Sequence, residues 1–210
     1  MSYIRTHTLI IFALGIFGLS LLTATPVIAD SQAKTVLKSA IDDVLLILKG
    51  ASNDDEGRRN AFNKIYDRIG QTFDFQMLAM GALGRKRKSF SPDQLDQFTA
   101  LFSKLVAETY FEKLEGSDTS GVEIQYLECI EVKSKRKSVQ RFDVETLIKQ
   151  DNVNIPIIYR MINKNQTAWK VYDIKIEGVS MVANYRDQYR SKMNATPDDL
   201  IQELKQKVEP

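Results

Sequence analysis

Histidine occurs once in the 210 residues, as His7, and cysteine once, as Cys129. These two scarcities exclude much chemistry. A Ser-His-Asp triad, a Cys-His pair and a histidine-ligated metal centre all need an imidazole, and His7 lies in a segment read below as removed. One thiol closes no intramolecular disulfide, and Cys129 in a strand pattern suits a small apolar side chain better than a nucleophile. Charge of one sign is lacking as well: 29 basic residues face 27 acidic ones, so the strongly basic footprint of a nucleic-acid binder is missing. There is no glycine-rich phosphate loop. Gly178-Val179-Ser180 lacks the second glycine and the base of a nucleophile elbow. Asp173 and Glu177 could pair as glycosidase carboxylates, although solvated or hydrogen-bonded carboxylates are commoner. The expectation is a protein that is not an enzyme and holds no cofactor or metal.

The N-terminus reads as an export signal. Arg5 precedes an uncharged, mostly apolar run from Leu9 to Leu22, and Val27-Ile28-Ala29 supplies the small residue a signal peptidase needs. The run is shorter than the roughly 17–25 residues that span a bilayer, so cleavage after Ala29 is expected rather than anchoring. That divides the chain into a signal peptide, 1–29, and a single exported domain, 30–210. An exported domain without disulfides depends on its core for stability, and this length suffices for one. With no second apolar span, the product is expected to be soluble.

The mature chain divides into helical and extended halves. Val36, Leu37, Ala40, Ile41, Val44, Leu45 and Leu48 recur at helical spacing up to Gly50. Phe62, Ile65 and Ile69 mark a second helix, and Asp74 caps a third that carries Phe75, Leu78, Ala79 and Leu83. Ser91-Pro92-Asp93-Gln94 is a capping box with proline in the first turn, opening a helix through Leu95, Phe98, Phe102 and Leu105. After Gly116 the period becomes two: Val122 to Tyr126, Phe142 to Ile148, Ile157 to Met161 and Tyr172 to Ile176. Ser134 to Ser138 and Asn163 to Thr167 read as hairpin loops, and Gly178 as a direct switch from strand to helix. Thr196 caps a last helix through Leu200, Ile201 and Leu204. The fold class is α+β, several helices packed on a curved four-stranded antiparallel sheet.

Two apolar walls follow from this pattern. Phe142, Val144, Thr146 and Ile148 beside Ile157, Tyr159 and Met161 make one, and the helices from Phe75 and Ser91 offer the other. Full closure gives an ordinary core; a sheet curving away leaves an apolar slot for hydrocarbon. Which face of each strand points inward is open at this stage. The basic runs Arg85 to Lys88 and Lys133 to Lys137 are either solvated loops or docking sites for an acidic partner or an anionic membrane.

Trp169-Lys-Val-Tyr-Asp-Ile-Lys-Ile-Glu-Gly178-Val-Ser-Met-Val-Ala-Asn-Tyr-Arg186 resembles the signature of the MlaC, or toluene-tolerance, family. Phe73-Asp74-Phe75, Ala82-Leu83-Gly84-Arg85, Ser91-Pro92-Asp93-Gln94 with Phe98 and Phe102, Tyr110, and Pro156 followed by Tyr159 agree in order. An aromatic residue usually follows the Leu-Gly-Arg segment in that family, where this chain has Lys86-Arg87-Lys88. The resemblance implies a periplasmic, monomeric phospholipid-binding shuttle with an apolar lipid pocket. Its partners would be an inner-membrane ABC transporter complex and an outer-membrane lipoprotein complex, in a retrograde route that maintains lipid asymmetry. Candidate lipid-binding residues on the helices are then Phe75, Leu78, Leu83, Phe98 and Phe102. On the strands they are Phe142, Val144, Thr146, Ile148, Tyr159, Met161 and Ile174. Beyond Gly178, Val179, Val182 and Tyr185 join them, with Arg186 as either a headgroup contact or a structural salt bridge. Arg85, Lys86, Arg87 and Lys88 are the candidate docking residues. A carrier of a hopanoid-like lipid and a ligand-free adaptor stand as alternatives.

Overall fold

The computed structural model describes residues 26–52, 54–114, 121–150 and 153–208. The expected signal up to Thr25 lies outside the described residues, and the cut expected after Ala29 falls in the first turn of helix α1. Side-chain caps fix where most of the helices begin. α1 spans Pro26–Lys49 and presents buried Ala33, Leu37 and Ala40 at helical spacing. α2, Asp55–Thr72, starts where the Asp54 carboxylate accepts from the Gly57 N–H at 2.7 Å. Asp74 does the same for α3, Phe75–Leu83, accepting from Met77 at 2.9 Å. The Ser91 and Gln94 side chains close the expected box of α4, Pro92–Leu114, at 3.2 and 3.0 Å. Ser180 caps α5, Met181–Ser191, and Thr196 with Asp199 caps α6, Pro197–Val208. Each such cap satisfies amide groups that would otherwise lack partners.

The sheet has five strands, not four, in sequential antiparallel order: β1 Glu123–Glu131, β2 Val139–Gln150, β3 Val153–Lys164, β4 Trp169–Ile176 and β5 Val179–Ser180. The added strand corrects the expectation of a direct switch to helix at Gly178. Glu177 and Gly178 both have positive φ, 51° and 82°, so the chain doubles back and Val179 pairs with Ile176 before α5 begins. A two-residue turn of this hand matches the twist of the flanking strands. Asn165 and Gln166, at φ 54° and 57°, close the β3–β4 hairpin in the same way. A second departure is at Tyr172. Pairing shifts between Arg160 opposite Asp173 and Met161 opposite Val171, which leaves Tyr172 in a bulge. Its ring leaves the face shared by Val171 and Ile174 and lies beside the guanidinium groups of Arg141 and Arg160, 5.6 and 5.2 Å from the ring centre.

Apolar burial falls into separate clusters. Leu78, Leu83, Phe98, Phe102, Val182, Tyr189, Leu200 and Leu204 join α3, α4, α5 and α6 into a helical core. Ala33 and Leu37 of α1 cover Phe142, Val144, Met161, Trp169 and Val171 on the sheet. A small third cluster ties α1, α2 and α4 through Ala61, Ile65 and Phe111. The inward face of the sheet is therefore the one bearing Phe142, Val144 and Thr146. The helix lying on it is α1, where the helices from Phe75 and Ser91 were expected; α3 packs chiefly on α5 and α4 chiefly on α6. Among the described residues no helix is long and apolar enough to cross a membrane.

Candidate functional site

The clusters meet along a seam, and Phe73 belongs to the borders of two of them. Its backbone explains why: the Val171 carbonyl accepts from the Asp74 N–H at 2.8 Å, so the α2–α3 junction is stitched to β4. Aromatic rings continue from there. Phe73 stacks on Phe75 with centres 5.7 Å apart, Phe75 on Tyr66 at 6.4 Å, Tyr66 on Phe62 at 5.9 Å, and Phe62 meets the edge of Phe111 at 5.4 Å. Tyr110 of α4 and Tyr185 of α5 border the helical cluster, while Tyr126, Tyr159 and Ile174 border the sheet cluster. All of these except Phe111 keep partial exposure, unlike the side chains behind them.

Tyr159 is the most informative of these. It sits on β3 between Val144 and Ile174, and Val144 is wholly buried. Burial drives its phenol strongly upward in pKa, with Tyr126 beside it adding to the shift. The residue as a whole keeps partial exposure. Its phenol is thus set among apolar side chains at the margin of the sheet cluster. Burial likewise pushes Tyr126 up to about 12, and its hydroxyl is buried with no partner among the described residues. Tyr110 is also raised by burial, then by the nearby Tyr185 and Asp173. The arrangement offers apolar walls with a few hydroxyls. Two recesses open elsewhere, one of about 330 Å³ at the α1–α2 turn and a polar one of about 160 Å³ beside Asn163; no seam residue lines either.

One polar joint holds the seam's edge. Asp173, 3% exposed, accepts from the Ser180 hydroxyl at 2.7 Å and from the Val182 N–H at 3.1 Å, and lies 3.6 Å from Arg160 Nη1. Arg160 Nε also reaches Asp143 at 3.4 Å. The carboxylate therefore belongs to β4 but caps α5. This is a structural use of Asp173, distinct from the paired-carboxylate reading.

The candidate residues separate by position. Phe75, Tyr159, Ile174 and Tyr185 stand at the seam. Phe98 and Phe102 stack 5.7 Å apart, fully buried, with Leu78, Leu83 and Val182 around them; Phe102 meets the edge of Tyr185 at 5.0 Å and so backs the seam. Phe142, Val144 and Met161 lie in the cluster covered by α1, and Thr146, buried on the same face, donates its hydroxyl to the Ile157 carbonyl at 3.2 Å. Ile148 is half-buried toward the far end of β2. Val179 is 64% exposed, because its strand pairs at the sheet's margin. Arg186 is exposed and makes no salt bridge among the described residues; its Nε donates to the Gly81 carbonyl at 2.7 Å, and its stem packs on Gly84. Phe62, Tyr66, Phe73, Tyr110 and Tyr126 were outside the candidate set. Aromatic density in the Phe62 to Phe75 segment was the available signal.

The protein is thus an α+β one whose helical and sheet clusters border each other at partly exposed aromatic side chains. Comparison with known proteins gives the family. The MlaC protein family model matches residues 38–206, and the chain belongs to the MlaC family. In fold it is similar to the phospholipid-binding protein from Ralstonia solanacearum, solved in complex with a phospholipid. The TM-score is 0.68 at 23% identity, over 84% of this chain and 97% of the other. Sequence comparison with curated proteins finds no match.

Proposed function

We propose that this protein is a periplasmic phospholipid carrier that holds acyl chains in the seam between the sheet and the helical core. The observation carrying the reading is that the partly exposed side chains Phe73, Phe75, Tyr126, Tyr159, Ile174 and Tyr185 gather where the sheet and helical clusters border each other. Family membership and the lipid bound to the Ralstonia relative support it. Moving one methylene from bilayer to water costs about 0.8 kcal/mol, so a chain of roughly 16 carbons costs on the order of 12 kcal/mol. Unaided desorption is correspondingly slow. A seam that replaces the bilayer interior brings transfer near balance without any chemical step. Direction then comes from partners, an energised inner-membrane ABC complex and an outer-membrane lipoprotein complex, between which the exported monomer shuttles lipid in the retrograde sense. The test is purification from cells without detergent, followed by lipid extraction and mass spectrometry. Co-purifying diacyl phospholipid is expected; a preparation free of lipid would sink the proposal.

A further inference from the structure

The corner where the turn after α3 meets the end of α5 is a charged surface that the seam does not use. Gly84–Ser89 forms a 3-10 turn, with Gly84 at φ 56° to start it. Phe90 pins the turn from below, buried and edge-on to Phe98 at 5.6 Å. Lys86 Nζ turns inward and donates to the Met193 and Ala195 carbonyls at 3.3 and 3.4 Å, tying the turn to the loop after α5. The Ser89 hydroxyl donates to the Lys86 carbonyl at 2.8 Å. On this base Arg85, Arg87 and Lys88 are exposed, and none meets a carboxylate among the described residues. Arg87 bonds only the Gly84 carbonyl, at 2.9 Å. Held beside them, Met193 is 82% exposed, the most exposed of the large apolar side chains described.

We propose that this corner docks on an anionic bilayer surface, Arg85, Arg87 and Lys88 meeting lipid phosphates while Met193 enters the interfacial layer. Rigidly presented cations around one apolar side chain match a membrane interface, where charge attracts and a single side chain inserts. A protein partner calls for an apolar core across the contact, and one methionine does not supply it. The substitution of Lys86 is uninformative, because that ammonium holds the turn together.

Sedimentation with phosphatidylglycerol-rich vesicles at low salt, compared with phosphatidylcholine vesicles, tests the proposal. Each cation contributes on the order of a fivefold factor at an anionic surface. The combined Arg85→Glu, Arg87→Glu, Lys88→Glu variant is therefore expected to lose at least about a hundredfold in affinity for the anionic vesicles. Met193→Asp is expected to lose about tenfold. Lys135→Glu with Lys137→Glu, the same kind of change in the β1–β2 loop, is expected to leave binding close to the wild type. Unchanged binding in the triple variant, equal losses in both charge variants, or equal binding to both vesicle types overturns the proposal. So does binding of a polyglutamate probe through these residues with no vesicle binding. Phospholipid that co-purifies with the triple variant is expected at the wild-type level, so a failure of the carrier reading shows separately, as absent lipid in every variant.

Discussion

Replacing Ile174 by tryptophan separates a lipid-holding seam from a closed core. Ile174 pairs with Tyr159 across β3 and β4 and is half-buried at the margin of the sheet cluster. If an acyl chain lies against Tyr159 and Ile174, the larger indole occupies space for about two or three methylenes. At about 0.8 kcal/mol each, that weakens lipid retention by about 2 kcal/mol, roughly thirtyfold. The lipid-free protein then accepts the ring with little loss of stability. If instead the side chains meet tightly, the same ring overpacks them and costs about 1–3 kcal/mol of folding stability, a Tm lower by roughly 2–12 °C in a chain of this size. Retention is measured as phospholipid per protein after purification from cells. Stability is measured by thermal unfolding after delipidation, so that bound lipid does not itself raise Tm. A lower Tm with unchanged lipid content would refute the reasoning from Tyr159.

Asp173→Asn keeps the shape of the joint between β4 and α5 but removes its charge and leaves Arg160 with one carboxylate fewer. A loss of about 3 kcal/mol is expected, read from the urea midpoint at unchanged m-value. Gly81→Ala places a methyl 2.7 Å from Val182 Cγ1 at the α3–α5 contact; about 1–3 kcal/mol of destabilisation is expected from thermal unfolding. Alkaline titration gives a third check. Burial raises Cys129 from 9.0 to about 12 and Tyr126 from 10.0 to about 12. Their neutral forms thus stabilise the folded state fully below pH about 9, and that contribution is lost as pH rises toward about 12. Stability measured by urea unfolding is expected to fall across that window, and Tyr126→Phe with Cys129→Ala to flatten the fall. An equally steep fall in the double variant would count against it.

Much of the helical layer was legible because local chemistry decides it. Asp74, Ser91 and Thr196 cap where their side chains reach the expected amides. The four long strands were legible for a similar reason, since alternation follows from the pleat. The fifth strand was not. Glu177 carries a side chain at positive φ, which propensity alone does not suggest, and β5 is two residues long. The bulge at Tyr172 was equally hidden: strict alternation puts its ring with Ile174, and only the pairing with Arg160 and Met161 reveals the extra residue. The seam posed a different problem. Phe98 and Phe102 look as apolar as Phe73 and Phe75, yet two are sealed and two keep partial exposure, and that depends on contacts distant in sequence. The same holds for α1, whose small Ala33 and Leu37 gave no sign that they, rather than the larger aromatics of α4, lie on the sheet.

The carboxylate at Asp173 gives the molecule a mechanical linkage. Its strand carries Ile174 at the seam, and the amide it grips starts the helix that leads, a few turns on, to the basic corner with Met193. Displacing that strand outward pulls on the helix through a short, charged strut. A carboxylate with three partners couples the position of β4 to that of α5, so neither shifts without giving up hydrogen bonds in a buried place.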